Sequence, residues 1–164
     1  MIAPDGSWAN PALHVDGVVE ATAQACDSCH GSAVNPAPPR GVHNEQATTT
    51  RAVGAHQRHL ANPTWHAPIA CSECHRVPAT TGAPGHVDTP LPAELTFGPL
   101  AAADGAAPSF DGATCSGSYC HGATLQPGGS DTTPSWTTVD GTQAACGTCH
   151  GLPPGGTHPP VTGL

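Results

Sequence analysis

The sequence predicts a mostly irregular chain, coil with a few short helices and little or no sheet, whose core is not built from side chains. Three observations carry this expectation. Leu, Ile, Val and Phe make only 22 of 164 residues, or 13%, while Ala alone supplies 26. A share below about 20%, joined to a net charge of −8, is the composition of chains that cannot fold on apolar burial alone. Gly and Pro together make 39 residues, or 24%, which interrupts long helices and central strands. Against this stand eight Cys and eleven His, so an added group must supply the core.

The same arithmetic excludes several function classes. At 164 residues the chain reads as a single module, 1–164, rather than a set of domains. No apolar run approaches the roughly 18 residues of a membrane span. There is no Lys, and the four Arg (Arg40, Arg51, Arg58, Arg76) all precede residue 77, which speaks against nucleic-acid binding.

The eight cysteines fall into four pairs, each followed at once by histidine: Cys26-Asp27-Ser28-Cys29-His30, Cys71-Ser72-Glu73-Cys74-His75, Cys115-Ser116-Gly117-Ser118-Tyr119-Cys120-His121 and Cys146-Gly147-Thr148-Cys149-His150. C-x-x-C-H is the attachment motif of c-type haem: both thiols bond the porphyrin and the adjacent imidazole is placed as the proximal iron ligand. At this histidine content, four chance Cys-His adjacencies would arise about 2 times in 100,000. The third motif has two extra residues between its thiols and must bulge. Disulfides suit an exported chain with an even cysteine count, and zinc or iron-sulfur sites also use Cys pairs, but none of them requires a histidine directly after the second Cys. The predicted cofactor is therefore four covalently bound haem c groups.

Seven histidines remain once His30, His75, His121 and His150 are assigned: His14, His43, His56, His59, His66, His86 and His158. The other common axial ligand is methionine, and the only one is Met1, so bis-histidine haems follow. Spare imidazoles outnumber the irons, which weighs against an open, catalytic haem.

His56 and His59 lie in a short helix candidate within residues 50–61, before Pro63. At a spacing of three they leave nearly the same face, so each can reach a different one of two closely packed haems; the plain alternative is a pair of solvated surface residues. His86 and His158 sit in rigid Pro/Gly backbone able to hold an imidazole without secondary structure. His14-Val15-Asp16 echoes His86-Val87-Asp88, and the approach to His43 echoes that to His158. Irons are too few for all of these, and a surplus histidine is free to ligate a haem of a neighbouring subunit or module. His66, beside Trp65, reads as a packing or surface residue.

Successive motifs begin at residues 26, 71, 115 and 146, and the stretches between them read as turns and extended coil. Short helices are expected only in the motifs and at 50–61, with a brief strand pairing between 18–21 and 93–97. With three Trp and one Tyr, porphyrin faces must provide most of the apolar contact area, and covalent attachment must constrain the unfolded chain much as disulfides do in small secreted domains.

On Gly54-Ala55-His56-Gln57-Arg58-His59-Leu60, Cys71 to Pro78, Gly85-His86-Val87-Asp88, Ser118-Tyr119-Cys120-His121-Gly122 and Cys146 to Pro159, the sequence resembles a family of multihaem cytochromes from metal-reducing bacteria, marked by a C-x-x-x-x-C-H site followed by C-x-x-C-H. The resemblance implies an exported electron-transfer protein, periplasmic or extracellular, and favours His56, His59, His86 and His158 over His43 as recurring residues. Relatives are often long and repetitive, which implies that this chain is a fragment or one unit of something longer. No signal-peptide pattern precedes the first motif; because haem is attached outside the cytoplasm, a leader is expected to be cleaved or to lie outside this numbering.

The expected function is electron transfer, not enzymatic catalysis, with other cytochromes, copies of the chain itself or extracellular metals as partners. Two rivals remain at this level: a subunit of a conducting filament, supported by the surplus histidines, and a multihaem reductase, which would need a five-coordinate haem and, for an anion, a cationic pocket that residues 77–164 cannot supply.

Overall fold

The computed structural model describes residues 25–152; His14, His158 and the strand expected at 18–21 lie outside them. Within these limits the chain is mostly turn and coil, as its Gly and Pro content dictates. The one α-helix, α1, is His56–Leu60. It starts after the turns of residues 49–55 and ends at Ala61, whose backbone is already extended (φ −63°, ψ 157°), two residues before Pro63, a residue that disfavours helix in its predecessor. Single 3-10 turns form at Cys26–Ser28, Cys71–Glu73 and Tyr119–His121, within three of the motifs. Two more, Ala103–Gly105 and Thr142–Ala144, lie outside the regions where helix is expected from sequence. The fourth motif contains turns and bends and ends in an isolated antiparallel bridge between His150 and Gly128.

Residues 93–97 form no strand. The sheet is instead a two-stranded hairpin, β1 (Ser109–Phe110) against β2 (Cys115–Ser116), with Ser109 opposite Ser116 and Phe110 opposite Cys115. Turn chemistry decides this location: Asp111 Oδ1 accepts the backbone N–H groups of Ala113 and Thr114 at 2.8 and 2.7 Å, closing an Asx turn over Asp-Gly. Residues 134–136 join the hairpin edge, where Cys115 N–H donates to Pro134 O at 3.0 Å and Trp136 N–H to Ala113 O at 2.8 Å. Gln143 clamps the same strip, accepting from Ser135 N–H and donating to the carbonyls of Ser135 and Thr138.

Among the described residues only Val53 (1% exposed) and Ala101 (4%) form a buried apolar core. The larger apolar side chains near the motifs are uncovered by protein, with Val34 88%, Val77 59%, Val87 68% and Leu152 64% exposed. Polar links between motifs take over much of the work of packing. Glu73 is central to them: its carboxylate accepts the N–H groups of Leu100 and Ala101 at 2.9 and 3.1 Å, and Ala101 O in turn accepts Tyr119 N–H at 2.9 Å, tying the second motif to the third.

The third and fourth motifs meet at Gly122, whose φ is +80° and where a Cβ would overlap the Cys149 carbonyl. Gly122→Ala is expected to destabilise the protein by about 2 kcal/mol or more, from left-handed strain plus displacement of Cys149. Gly141→Ala, at φ +91° with nothing within 4 Å, isolates the strain, about 1 kcal/mol. Denaturant unfolding of the two variants checks the difference; equal losses would mean that the close approach at Gly122 contributes nothing.

Candidate functional site

In the first two motifs the 3-10 turn runs from the first Cys towards the second, and the histidine follows directly. His75 N–H donates to Cys71 O at 2.9 Å, so the turn continues into the histidine. The third motif absorbs its two extra residues by opening in β2 at Cys115 and closing in the 3-10 turn Tyr119–His121. In the second, third and fourth motifs the two thiols are not joined as disulfides.

Three motif histidines each face an imidazole from outside the motifs. The ring centres of His30 and His86 are 6.5 Å apart at an interplanar angle of 84°, those of His75 and His56 6.2 Å apart at 19°, and those of His121 and His59 6.0 Å apart at 83°. With metal–nitrogen bonds of about 2 Å, two imidazoles on opposite sides of one metal hold their ring centres about 6 Å apart. The three pairs thus have the separation that a shared axial position requires. Both outer-motif residues on α1 take part, His56 towards the second motif and His59 towards the third.

The hydrogen bonds of these rings point the same way. His56 Nδ1 lies 2.7 Å from Val53 O, His59 Nδ1 3.0 Å from Ala55 O, His86 Nδ1 2.7 Å from Thr81 O, His75 Nδ1 3.2 Å from Glu94 O and His30 Nδ1 2.5 Å from Pro36 O. A carbonyl oxygen can only accept, so Nδ1 carries the proton and the Nε2 lone pair is left for a metal, the arrangement by which backbone carbonyls fix ligand tautomers. Burial pushes His56 and His59 below the usual imidazole range. His121 falls to about 4, through burial first and the neighbouring His59 second. All three rings are therefore neutral at pH 7, the form that ligates.

Residues of successive motifs also neighbour one another. His56 senses His75, His59 and His30, linking the first and second motifs. The Cys74 thiol is pushed up to about 11, mainly by burial and then by Cys115, Cys120 and Glu73, which brings the second motif against the third. Burial also raises Cys120, and the third motif meets the fourth where Gly122 lies against the Cys149 carbonyl.

The remaining histidines are placed differently. His43 is paired with Glu45 at 3.5 Å, its side chain 71% exposed, and stands near no motif imidazole among the described residues. His66 packs edge-on against Trp65 at 4.3 Å. His150 donates from Nδ1 to Gly151 O at 2.9 Å and faces no other imidazole among the described residues. Several supporting residues escaped sequence reasoning. Arg40 donates to the carbonyls of Asp27 and Gly31, bracing the first motif. Gln57 of α1 donates to Asn35, Ala37 and Pro38, holding the loop after it. Trp136 touches both α1 histidines. None carries a spacing signal, since each partner is between 9 and 85 residues away.

No curated protein and no solved structure matches the chain. Residues 114–150 match the family model described as the Geobacter CxxxxCH...CXXCH motif, a stretch that runs from the strand carrying Cys115 to His150. The cysteine pairs with adjacent histidines and neutral, oriented imidazoles are a donor set that fits covalent haem c. Over this stretch the chain is similar to the multihaem c-type cytochromes that carry the CxxxxCH…CxxCH motif.

Proposed function

We propose that the chain is an electron carrier holding four haem c groups, each bound by one motif's two thiols, with bis-histidine ligation by His30 and His86, His75 and His56, and His121 and His59. His150 holds the fourth, with His14 or His158 as the second ligand. The observation that carries the reading is the set of three imidazole pairs at 6.0 to 6.5 Å. Bound haem supplies one-electron chemistry at its iron. The chain's own residues attach, orient and shield. The thiols fix position, backbone carbonyls at Pro36, Val53, Ala55, Thr81 and Glu94 set ring orientation, and the uncovered Val34, Val77, Val87 and Leu152 supply apolar surface for porphyrin faces.

Glu73 and Ala101 tie the second motif to the third, and Gly122 sets the third against the fourth, which supports transfer along a sequence of neighbouring centres rather than reaction at an isolated one. Among the described residues no helix is long and apolar enough to cross a membrane, and export to the periplasm or cell surface is part of the proposal, because covalent haem attachment belongs to those compartments. Net charge −8, to which haem propionates add, favours cationic partners: basic cytochromes or metal ions.

Intact mass of the matured protein is expected to show four haem additions, and low-temperature electron paramagnetic resonance of the oxidised form only low-spin iron. His56→Ala, His59→Ala and His86→Ala are each expected to convert one iron to high spin, while His43→Ala and His66→Ala leave the spectrum unchanged. Low-spin signals that survive all three of the former would overturn the ligation scheme.

Expressed without haem attachment, the chain is expected to be expanded and cut rapidly by protease, since Val53 and Ala101 alone cannot offset the conformational entropy of folding. A compact, resistant apo form would contradict this. Electron exchange with a basic cytochrome is expected to slow several-fold between about 0.01 and 0.15 M salt as screening shortens from about 30 to 8 Å; a salt-independent rate would remove the electrostatic argument for partner choice.

A further inference from the structure

α1 delivers two ligand candidates to two different motifs, yet the resulting pairs differ in orientation. His56 and His75 are nearly parallel, at 19°, whereas His59 and His121 are nearly perpendicular, at 83°. One side chain touches both α1 rings. Trp136 meets His56 edge to face, with centres 4.8 Å apart at 86°, and lies over His59 at 5.8 Å and 29°. Both are favourable arrangements of ring quadrupoles.

The indole is itself held at both ends. Its Nε1–H donates to Arg51 O at 2.7 Å, across 85 residues of sequence, in the turns that lead into α1. Its ring fills the space over Gly54, whose φ is +42° and where any Cβ would overlap it. Its backbone is bonded to Ala113, next to the strand that carries Cys115. Trp136 therefore connects the helix that supplies two ligands to the hairpin that supplies one attachment thiol.

We propose that Trp136 is a positioning residue that fixes the ring planes of His56 and His59, and so makes two neighbouring bis-histidine centres electronically unlike. The inference rests on the ligation scheme above. Its physical basis is orbital: parallel imidazole planes donate π-density along one in-plane direction of the iron and split its d levels rhombically, while perpendicular planes donate along both and leave the iron close to axial. The pair His30 and His86, at 84°, has no ring contact with Trp136 and serves as an internal reference.

The experiment is low-temperature electron paramagnetic resonance, with midpoint potentials, on the fully matured protein. The oxidised protein is expected to give a rhombic low-spin signal from His56 and His75 and signals with a large maximal g value from the two perpendicular pairs, beside the low-spin signal of the fourth haem at His150. His56→Ala, His59→Ala and His86→Ala assign these by loss. Trp136→Ala is expected to shift the first signal and the His59 signal in g value and potential, leaving the His86 signal in place. Trp136→Phe keeps a ring against both imidazoles but removes the bond to Arg51, and is expected to shift the same two signals less.

If the histidine variants create no high-spin iron, the ligation scheme fails and this inference with it. If they do, but both Trp136 variants reproduce the parent spectrum, only the positioning role fails. If all signals move together in both, the role of Trp136 is general stability, which also overturns the proposal.

Discussion

Everything in this structure hangs on a helix of little more than one turn. α1 presents His56 and His59 three residues apart, so the two imidazoles leave one face but reach two motifs. Its Gln57 holds the loop after the first motif, and its His59 carbonyl accepts Ile69 N–H, drawing in the segment that leads to the second. An isolated five-residue helix has no stability of its own. Its geometry must come from what it touches: Trp136 lies against both of its imidazoles, and the Val53 carbonyl holds the His56 ring.

Much of this was legible in the sequence because local chemistry decides it. Cys-His adjacency marks the motifs, Pro63 ends the helix, and scarcity of large apolar residues foretells a coil-dominated chain without a side-chain core. The i, i+3 spacing of His56 and His59 is also local, and the structure sets each of these rings opposite a different motif histidine. The hairpin at Ser109–Phe110 and Cys115–Ser116 lies outside the expected strands, although Asp111-Gly112 is a readable turn signal. The strand expected at 93–97 rested on a few apolar residues, and that segment instead spends its backbone on the second motif: Thr96 N–H donates to Cys74 O and Glu94 O accepts from His75.

What the sequence hides is tertiary. Nothing in the order of residues says that His86, eleven positions after His75, faces His30 of the first motif, while His75 faces a residue on a preceding helix. Nor does spacing announce that Glu73, inside a motif, would bind the backbone at 100 and 101 and through it brace Tyr119. Such crossed pairings make each centre depend on two stretches of chain, so the sites interlock rather than sit as separate beads.

The ring nitrogens of His30, His56, His59, His75 and His86 all find main-chain oxygens. A peptide carbonyl belongs to every residue type and does not titrate. The side chains at Pro36, Val53, Ala55, Thr81 and Glu94 are thus under no obligation to supply an acceptor, and evolutionary drift at these positions leaves ligand orientation intact as long as the chain keeps its path. Lineages sharing this architecture can accordingly diverge until little but cysteines, histidines and the glycines of close approach can be aligned.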